Sequence, residues 1–160
     1  MKTYLTPTRK QFNELDLLPR YDRSLVEYGK YNEHIGHAGV KYSMAVQATR
    51  GCPYRCFYCD VYKTTKHHFR RSVDNIFDEV KAIADMGVKR IEFIDDIFNV
   101  KAKDFVEFFN KVIKHNLNVK FFFPTALKGD LLTKEVIDVM MQGGAIGVNV
   151  SLESASPRMQ

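Results

Sequence analysis

The chain reads as an α/β fold, a partial TIM-like (β/α) barrel with about four parallel strands, and two observations predict it. From Lys41 onward, short strand-like apolar runs alternate with stretches whose apolar residues recur at helical spacing. The last three strand-like runs end near Asp95, Phe123 and Leu152, about 29 residues apart, the regularity of repeated βα units in a barrel wall. Strand, helix, strand at that rhythm means parallel strands joined by right-handed crossovers.

Residues 1–40 are polar and interrupted by Pro7, Pro19, Gly29, Gly36 and Gly39, which predicts a lead-in with at most short helices. The regular domain is expected over 41–160. Tyr42 to Gln47 reads as a buried strand, followed through Thr49-Arg50-Gly51 by a loop rich in cysteine. Ser72 is a good N-cap, and Val73, Ile76, Phe77, Val80, Ile83 and Ala84 trace a helix that Gly87 stops. Arg90 to Ile94 is the second strand. Asp104 to His115 repeats the helical pattern with Phe105, Phe108, Phe109, Val112 and Ile113, and Asn118 to Phe123 is the third strand. Thr133 caps a last helix carrying Val136, Ile137, Met140 and Met141, with Met140 and Met141 both expected in the core. Gly143-Gly144 ends it, and Ile146 to Leu152 makes the fourth strand.

A chain of 160 residues, 45% hydrophobic and with 12 Phe, has ample material for one core. It has no apolar run long enough for a membrane span, so no membrane partner is expected. The opening Met-Lys-Thr-Tyr-Leu-Thr-Pro has no apolar stretch behind its charge, which points to a reducing cytoplasm. A net charge of +5 and a pI near 9.1 suit an anionic partner, but the charges read as thinly spread, so nucleic acid is not expected to be one.

All three cysteines, Cys52, Cys56 and Cys59, lie in one eight-residue window with the spacing C-x3-C-x2-C. Three thiolates from one loop can hold three irons of a 4Fe–4S cluster and leave the fourth iron open to an outside ligand. The plainer alternative is a structural zinc site completed by His67 or His68, for which the spacing and the surrounding βα repeat are poor. In βα walls, reactive residues stand at the carboxyl ends of strands. The cysteine loop, Asp95-Asp96, Pro124-Thr125 and Glu153-Ser154 all fall on that edge.

The run Thr49-Arg-Gly-Cys-Pro-Tyr-Arg-Cys-Phe-Tyr-Cys59, with Arg70-Arg-Ser72, Ile94-Asp-Asp-Ile-Phe98 and Ser151-Leu-Glu-Ser154, resembles the radical S-adenosylmethionine (radical SAM) superfamily, in particular members joined to a cobalamin-binding domain. The resemblance covers about residues 41–160. It implies a barrel of the radical SAM type in which Cys52, Cys56 and Cys59 ligate the cluster and S-adenosylmethionine chelates the open iron. It further implies that Tyr58, the aromatic residue ahead of the third cysteine, lines the cofactor, and that Asp95 and Asp96 stand where the methionine ammonium group is contacted. Ser151 and Glu153 resemble the segment that contacts the ribose hydroxyls or the methionine group. One electron from the cluster would break a sulfonium C–S bond and yield a 5′-deoxyadenosyl radical that takes hydrogen from a substrate not identifiable from the sequence. An electron donor such as flavodoxin or ferredoxin is implied as a partner.

Departures from the family pattern also carry expectations. Lys128-Gly-Asp130 stands where related sequences often carry Arg-x-Asp. His34 and His37 do not match the cobalamin motif D-x-H-x-x-G, and the lead-in has no room for a cobalamin domain, so cobalamin would belong to a longer parent protein. After the fourth strand only Glu153 to Gln160 follow, which reads as the N-terminal part of a longer barrel. Two other readings stand beside the leading one: a radical SAM enzyme that modifies tRNA, and a non-catalytic fragment that binds a cluster.

Overall fold

The structure, a computed structural model, describes residues 3–7, 9–31, 41–65 and 67–159. In chain order it comprises β1 (Met44–Val46), β2 (Thr49–Arg50), α1 (Val61–Thr64), β3 (Phe69–Arg70), α2 (Val73–Asp85), β4 (Arg90–Phe93), α3 (Ala102–Lys114), β5 (Lys120–Leu127), α4 (Lys134–Gln142) and β6 (Ala145–Val150). Strands β1, β4, β5 and β6 form one parallel sheet in that order, each neighbour reached through a helix. The four-stranded α/β wall read from the sequence is therefore the fold. His34, His37, Gly36 and Gly39 lie outside the described residues.

Local chemistry sets the helix ends. The Ser72 hydroxyl accepts the Asn75 amide at 3.2 Å to start α2, and the Thr133 hydroxyl accepts the Val136 amide at 3.3 Å to start α4. Gly87 follows α2 at φ +86°, a left-handed conformation that ends a helix at little cost only for glycine. The strand ends differ from the expected ones. Tyr42 has φ +54° and lies outside β1, whereas β5 continues past Phe123 through Pro124 to Leu127. Pro124 is tolerated because the pairing with β6 is irregular between Phe123 and Leu127, and the Asn149 side chain donates to its carbonyl at 2.7 Å.

The core is aromatic. Phe93 and Phe121 with Phe123 lie on the helix-facing side of β4 and β5, while Phe105, Phe108, Phe109 and Val112 form one stripe of α3; all are at most 1% exposed. Phe93 stacks on Phe123 at 5.5 Å and 7° and meets Phe108 edge-on at 5.5 Å, contacts that fix α3 across the sheet. On α4 the expectation for Met141 needs correction. Met140 is buried, but Met141 is 59% exposed. Val136, Val139 and Met140 occupy the buried stripe of α4, which packs on α3 and β6; Ile137 and Met141 belong to the next row round the helix, which is exposed.

The amino-terminal segment is more than a lead-in. It makes 3-10 turns at Leu15–Leu17, Arg23–Leu25 and Tyr28–Tyr31, and Leu15 is buried. The Asp16 carboxylate accepts the Ser72 amide at 2.9 Å. Arg23 donates to the Ala45 carbonyl on the outer side of edge strand β1 at 3.1 Å and to buried Glu79 at 2.6 Å. Arg71 meets the other Glu79 oxygen at 2.5 Å, so one carboxylate joins the segment, α2 and the residue after β3. Covering an edge strand in this way removes a template for unwanted pairing.

Candidate functional site

The sheet's carboxyl edge begins where β1 runs into the cysteine loop. β2 and β3 form a two-residue antiparallel ribbon, Thr49 with Arg70 and Arg50 with Phe69, that pinches together the two ends of the segment carrying all three cysteines. The Arg71 amide adds a bond to the Ala48 carbonyl at 3.0 Å. The sequence reading missed this ribbon because two residues per strand are too few to show a period. Arg70 locks its far side: the guanidinium pairs with Asp104 at 3.0 Å, donates to the Phe98 carbonyl at 2.8 Å and lies over the Phe98 ring.

Asp95 and Asp96 have different placements. Asp95 is 1% exposed, and its carboxylate accepts the amides of Ala48 and Thr49 and the Thr49 hydroxyl. The Thr49 hydroxyl also reaches the Ile97 carbonyl at 3.2 Å. Burial pushes the Asp95 carboxyl up to about 6, against the pull of these donors and of Arg70. Its oxygens are turned inward onto the chain, where a methionine ammonium group on the open edge would not meet them. Asp96 is exposed and accepts the Gly51 amide at 3.0 Å, one residue before Cys52. Consecutive carboxylates at the end of β4 thus hold the amides of residues 48, 49 and 51, and only Asp96 also faces the open edge.

The three cysteines are free thiols, Cys56 exposed and the other two half-buried. The Cys59 amide donates to the Cys56 carbonyl at 3.0 Å, closing the turn between them. Burial pushes the Cys52 thiol up, opposed by a hydrogen bond from the Tyr54 amide. Among the described residues no three His, Cys, Asp or Glu side chains surround a single metal-ion position. A cubane cluster spaces its thiolate ligands more widely than one ion does. Three soft thiols on one pinned loop, one of them accepting a backbone N–H, therefore fit the donor set of a 4Fe–4S cluster with one iron open.

The far end of the edge also meets the loop. The Glu153 carboxylate pushes the Tyr58 phenol up to about 12. Ser151 is exposed, just beyond β6. Lys128 sits between: its ammonium lies 5.1 Å over the Tyr54 ring and pairs with Asp130 at 2.9 Å. Asn99, 1% exposed, clamps the Lys128 backbone from both sides, donating to its carbonyl and accepting its amide at 2.9 Å each. The sequence reading passed over Asn99, although a lone amide inside Ile97-Phe98-Asn99-Val100 signals a polar group with a fixed partner. Glu153 thus acts on the loop at Tyr58, and Asp96 meets it at Gly51. His68 is half-buried and kept below its ordinary pKa by that burial, while His67 packs on Phe69 at 5.8 Å.

A parallel βα sheet whose first loop presents three free thiols at its carboxyl edge defines a class of iron–sulfur α/β protein. The chain belongs to the radical SAM superfamily, whose family model matches residues 46–160. Binding of a 4Fe–4S cluster and of S-adenosylmethionine is general to that superfamily. Among relatives, the chain is 26% identical over 155 residues to an uncharacterised methyltransferase of Pyrococcus horikoshii, covering 96% of this chain and 32% of that protein. It is 24% identical over 159 residues to the anaerobic magnesium-protoporphyrin IX monomethyl ester cyclase of Rubrivivax gelatinosus, covering 97% of this chain and 27% of that one. The fold is similar to that of the radical S-adenosylmethionine methyltransferase TsrM from Kitasatospora setae, solved with cobalamin and a [4Fe-4S] cluster. The TM-score is 0.65 at 18% identity, over 71% of this chain and 21% of that one. The chain thus spans about a third or less of the length of these relatives. Among the described residues, no helix is long and apolar enough to cross a membrane.

Proposed function

We propose that the chain forms the cluster-binding part of a radical SAM enzyme, and that the pinned cysteine loop is the single observation that carries this. Cys52, Cys56 and Cys59 would ligate the cluster. When bound with S-adenosylmethionine, the cluster supplies one-electron reductive cleavage to methionine and a 5′-deoxyadenosyl radical, which abstracts hydrogen from an organic substrate. The protein's own residues position and shield. The β2–β3 ribbon and the carboxylates of Asp95 and Asp96 hold the ends of the loop, so that the thiols are presented from a fixed base. In this reading Asp95 is a positioning residue. Asp96 keeps an exposed carboxylate for the methionine ammonium group, a charge-assisted contact.

Tyr58, Ser151 and Glu153 line the mouth, where hydroxyl and carboxylate groups suit ribose hydroxyls. The influence of Glu153 on the Tyr58 phenol supports a site in which the loop and the end of β6 both reach one small molecule. The electron comes from a separate low-potential carrier in the cytoplasm. Anaerobic reconstitution with iron and sulfide should give a brown protein with about four irons per chain. Cys56→Ala should lose the cluster's spectrum. With a strong reductant, the loaded protein should release 5′-deoxyadenosine from S-adenosylmethionine; a colourless product holding zinc would overturn the proposal.

A further inference from the structure

The positive charge of this chain is concentrated on the segment that bears the cysteines. Between Arg50 and Arg71 stand six Lys and Arg against one Asp, while the rest of the chain carries 18 residues of each sign. The expectation of thinly spread charge is corrected by that count. Arg70 and Arg71 are spent internally on Asp104 and Glu79, and Lys63 holds Asp60. Arg50 and Arg55 are exposed, as are Arg9 and Lys10 of the amino-terminal segment, and among the described residues no carboxylate pairs with any of the four.

Folding places Arg9 and Lys10 against the cysteine segment. The Gln11 side chain donates to the Thr64 carbonyl at 3.3 Å, and beside this contact lies a cleft of about 680 Å³ lined by Arg9, Lys10, Lys63, His67 and Phe69 with no acidic side chain. Gln11 and Phe69 are shared with a second cavity of about 310 Å³ whose wall includes Gly51 and Asp96. A partner seated in the outer cleft is therefore one aromatic ring away from the base of the cysteine loop. Lys63 follows Cys59 by four residues, most of them in α1, roughly 6 Å of helix rise.

We propose that this cationic cleft is the docking surface for an acidic, low-potential electron-carrier protein. The inference rests on the cluster reading above and names the partner that reading requires. The carrier is oxidised by one electron and the cluster reduced by one, with no bond made or broken on this chain. A cationic cleft raises the encounter rate of an anionic partner, and the complexes of electron carriers are small and transient. A cleft with two unpaired cations, Arg9 and Lys10, suits such an encounter. It falls short of the 6–10 phosphate contacts, roughly, on which strong nucleic-acid binding rests.

The probe is a bacterial flavodoxin, used with the reconstituted wild-type protein and the double charge reversal Arg9→Glu, Lys10→Glu, both exposed and remote in sequence from the cysteines. Two readouts are taken anaerobically at low and high salt: affinity for immobilised flavodoxin, and the rate at which reduced flavodoxin bleaches the cluster. The variant should bind about tenfold more weakly and be reduced about tenfold more slowly at low salt, with the gap closing at high salt. Its iron content and its reduction by dithionite should match the wild type. Equal affinity and rate in the two proteins would overturn the inference. So would a variant that loses salt-sensitive retention of tRNA while its flavodoxin rate is unchanged, which would assign the cleft to nucleic acid. A wild type that takes up no iron overturns the cluster reading itself and this inference with it.

Discussion

Asp95 holds Thr49 twice, through the backbone amide and through the hydroxyl at 2.5 Å, and so ties the end of β4 to the first residue of the ribbon that closes the cysteine loop. Its carboxyl is pushed up to about 6 from an ordinary 3.8, mainly by burial. A group whose folded value is raised binds its proton more tightly in the folded state. The stability it contributes is full below about pH 4 and is lost as the pH rises through about 6. The shift of about two units corresponds to roughly 3 kcal/mol. Urea denaturation from pH 4 to pH 7 should therefore show wild-type stability falling relative to Asp95→Asn, whose side chain does not titrate. A constant difference between the two would show that Asp95 does not carry this dependence.

Gly51 precedes the first cysteine at φ +80°, and a Cβ there would stand 2.6 Å from Thr65 Cγ2 and closer still to the His67 carbonyl. Gly51→Ala meets both backbone strain and overpacking, each roughly 1–3 kcal/mol. The damage is local to the loop, so iron uptake on reconstitution should fall further than global stability does. Iron analysis beside a denaturation curve separates the two.

Glu79 is buried between Arg23 and Arg71, with all three side chains at most 12% exposed. Glu79→Ala leaves two guanidinium groups buried without their partner and should cost roughly 3–5 kcal/mol. Because Arg23 anchors the amino-terminal segment, limited proteolysis should cut within residues 11–31 faster in the variant. A cleavage pattern identical to wild type would place the segment's hold elsewhere.

The Tyr58 phenol is held at about 12 chiefly by the Glu153 carboxylate. In Glu153→Gln the phenolate loses its anionic neighbour, and its titration should move down toward the ordinary tyrosine value near 10. The chain has eight tyrosines, so the signal is the ultraviolet titration difference against Tyr58→Phe. A midpoint that stays put would separate the loop from the end of β6.

Where the sequence was legible, the reason is periodicity or local chemistry. The four parallel strands and the helices between them show through their apolar spacing, and Ser72 and Thr133 mark helix starts by chemistry that acts within three residues. The β2–β3 ribbon carries no period, and Pro124 reads as a strand terminator until the irregular pairing with β6 makes room for it. Met141 belongs to a helix row whose burial depends on a neighbour, which apolar spacing does not reveal. Asp95 and Asp96 are equivalent as letters. Their different burial divides them, one turned into the chain and one toward the open edge.

By itself the sequence determined the α/β class, the family resemblance and the three thiols, because spacing along one short loop is a local property. The tertiary structure alone decided how that loop is held and what meets it. The Asp95 and Asp96 bonds to residues 48, 49 and 51, the Asn99 clamp on Lys128 and the arrival of Arg9 and Lys10 beside Lys63 join residues that lie 29 to more than 50 positions apart. Contacts of that range exist only once parallel strands and right-handed crossovers have brought the strand ends to one edge.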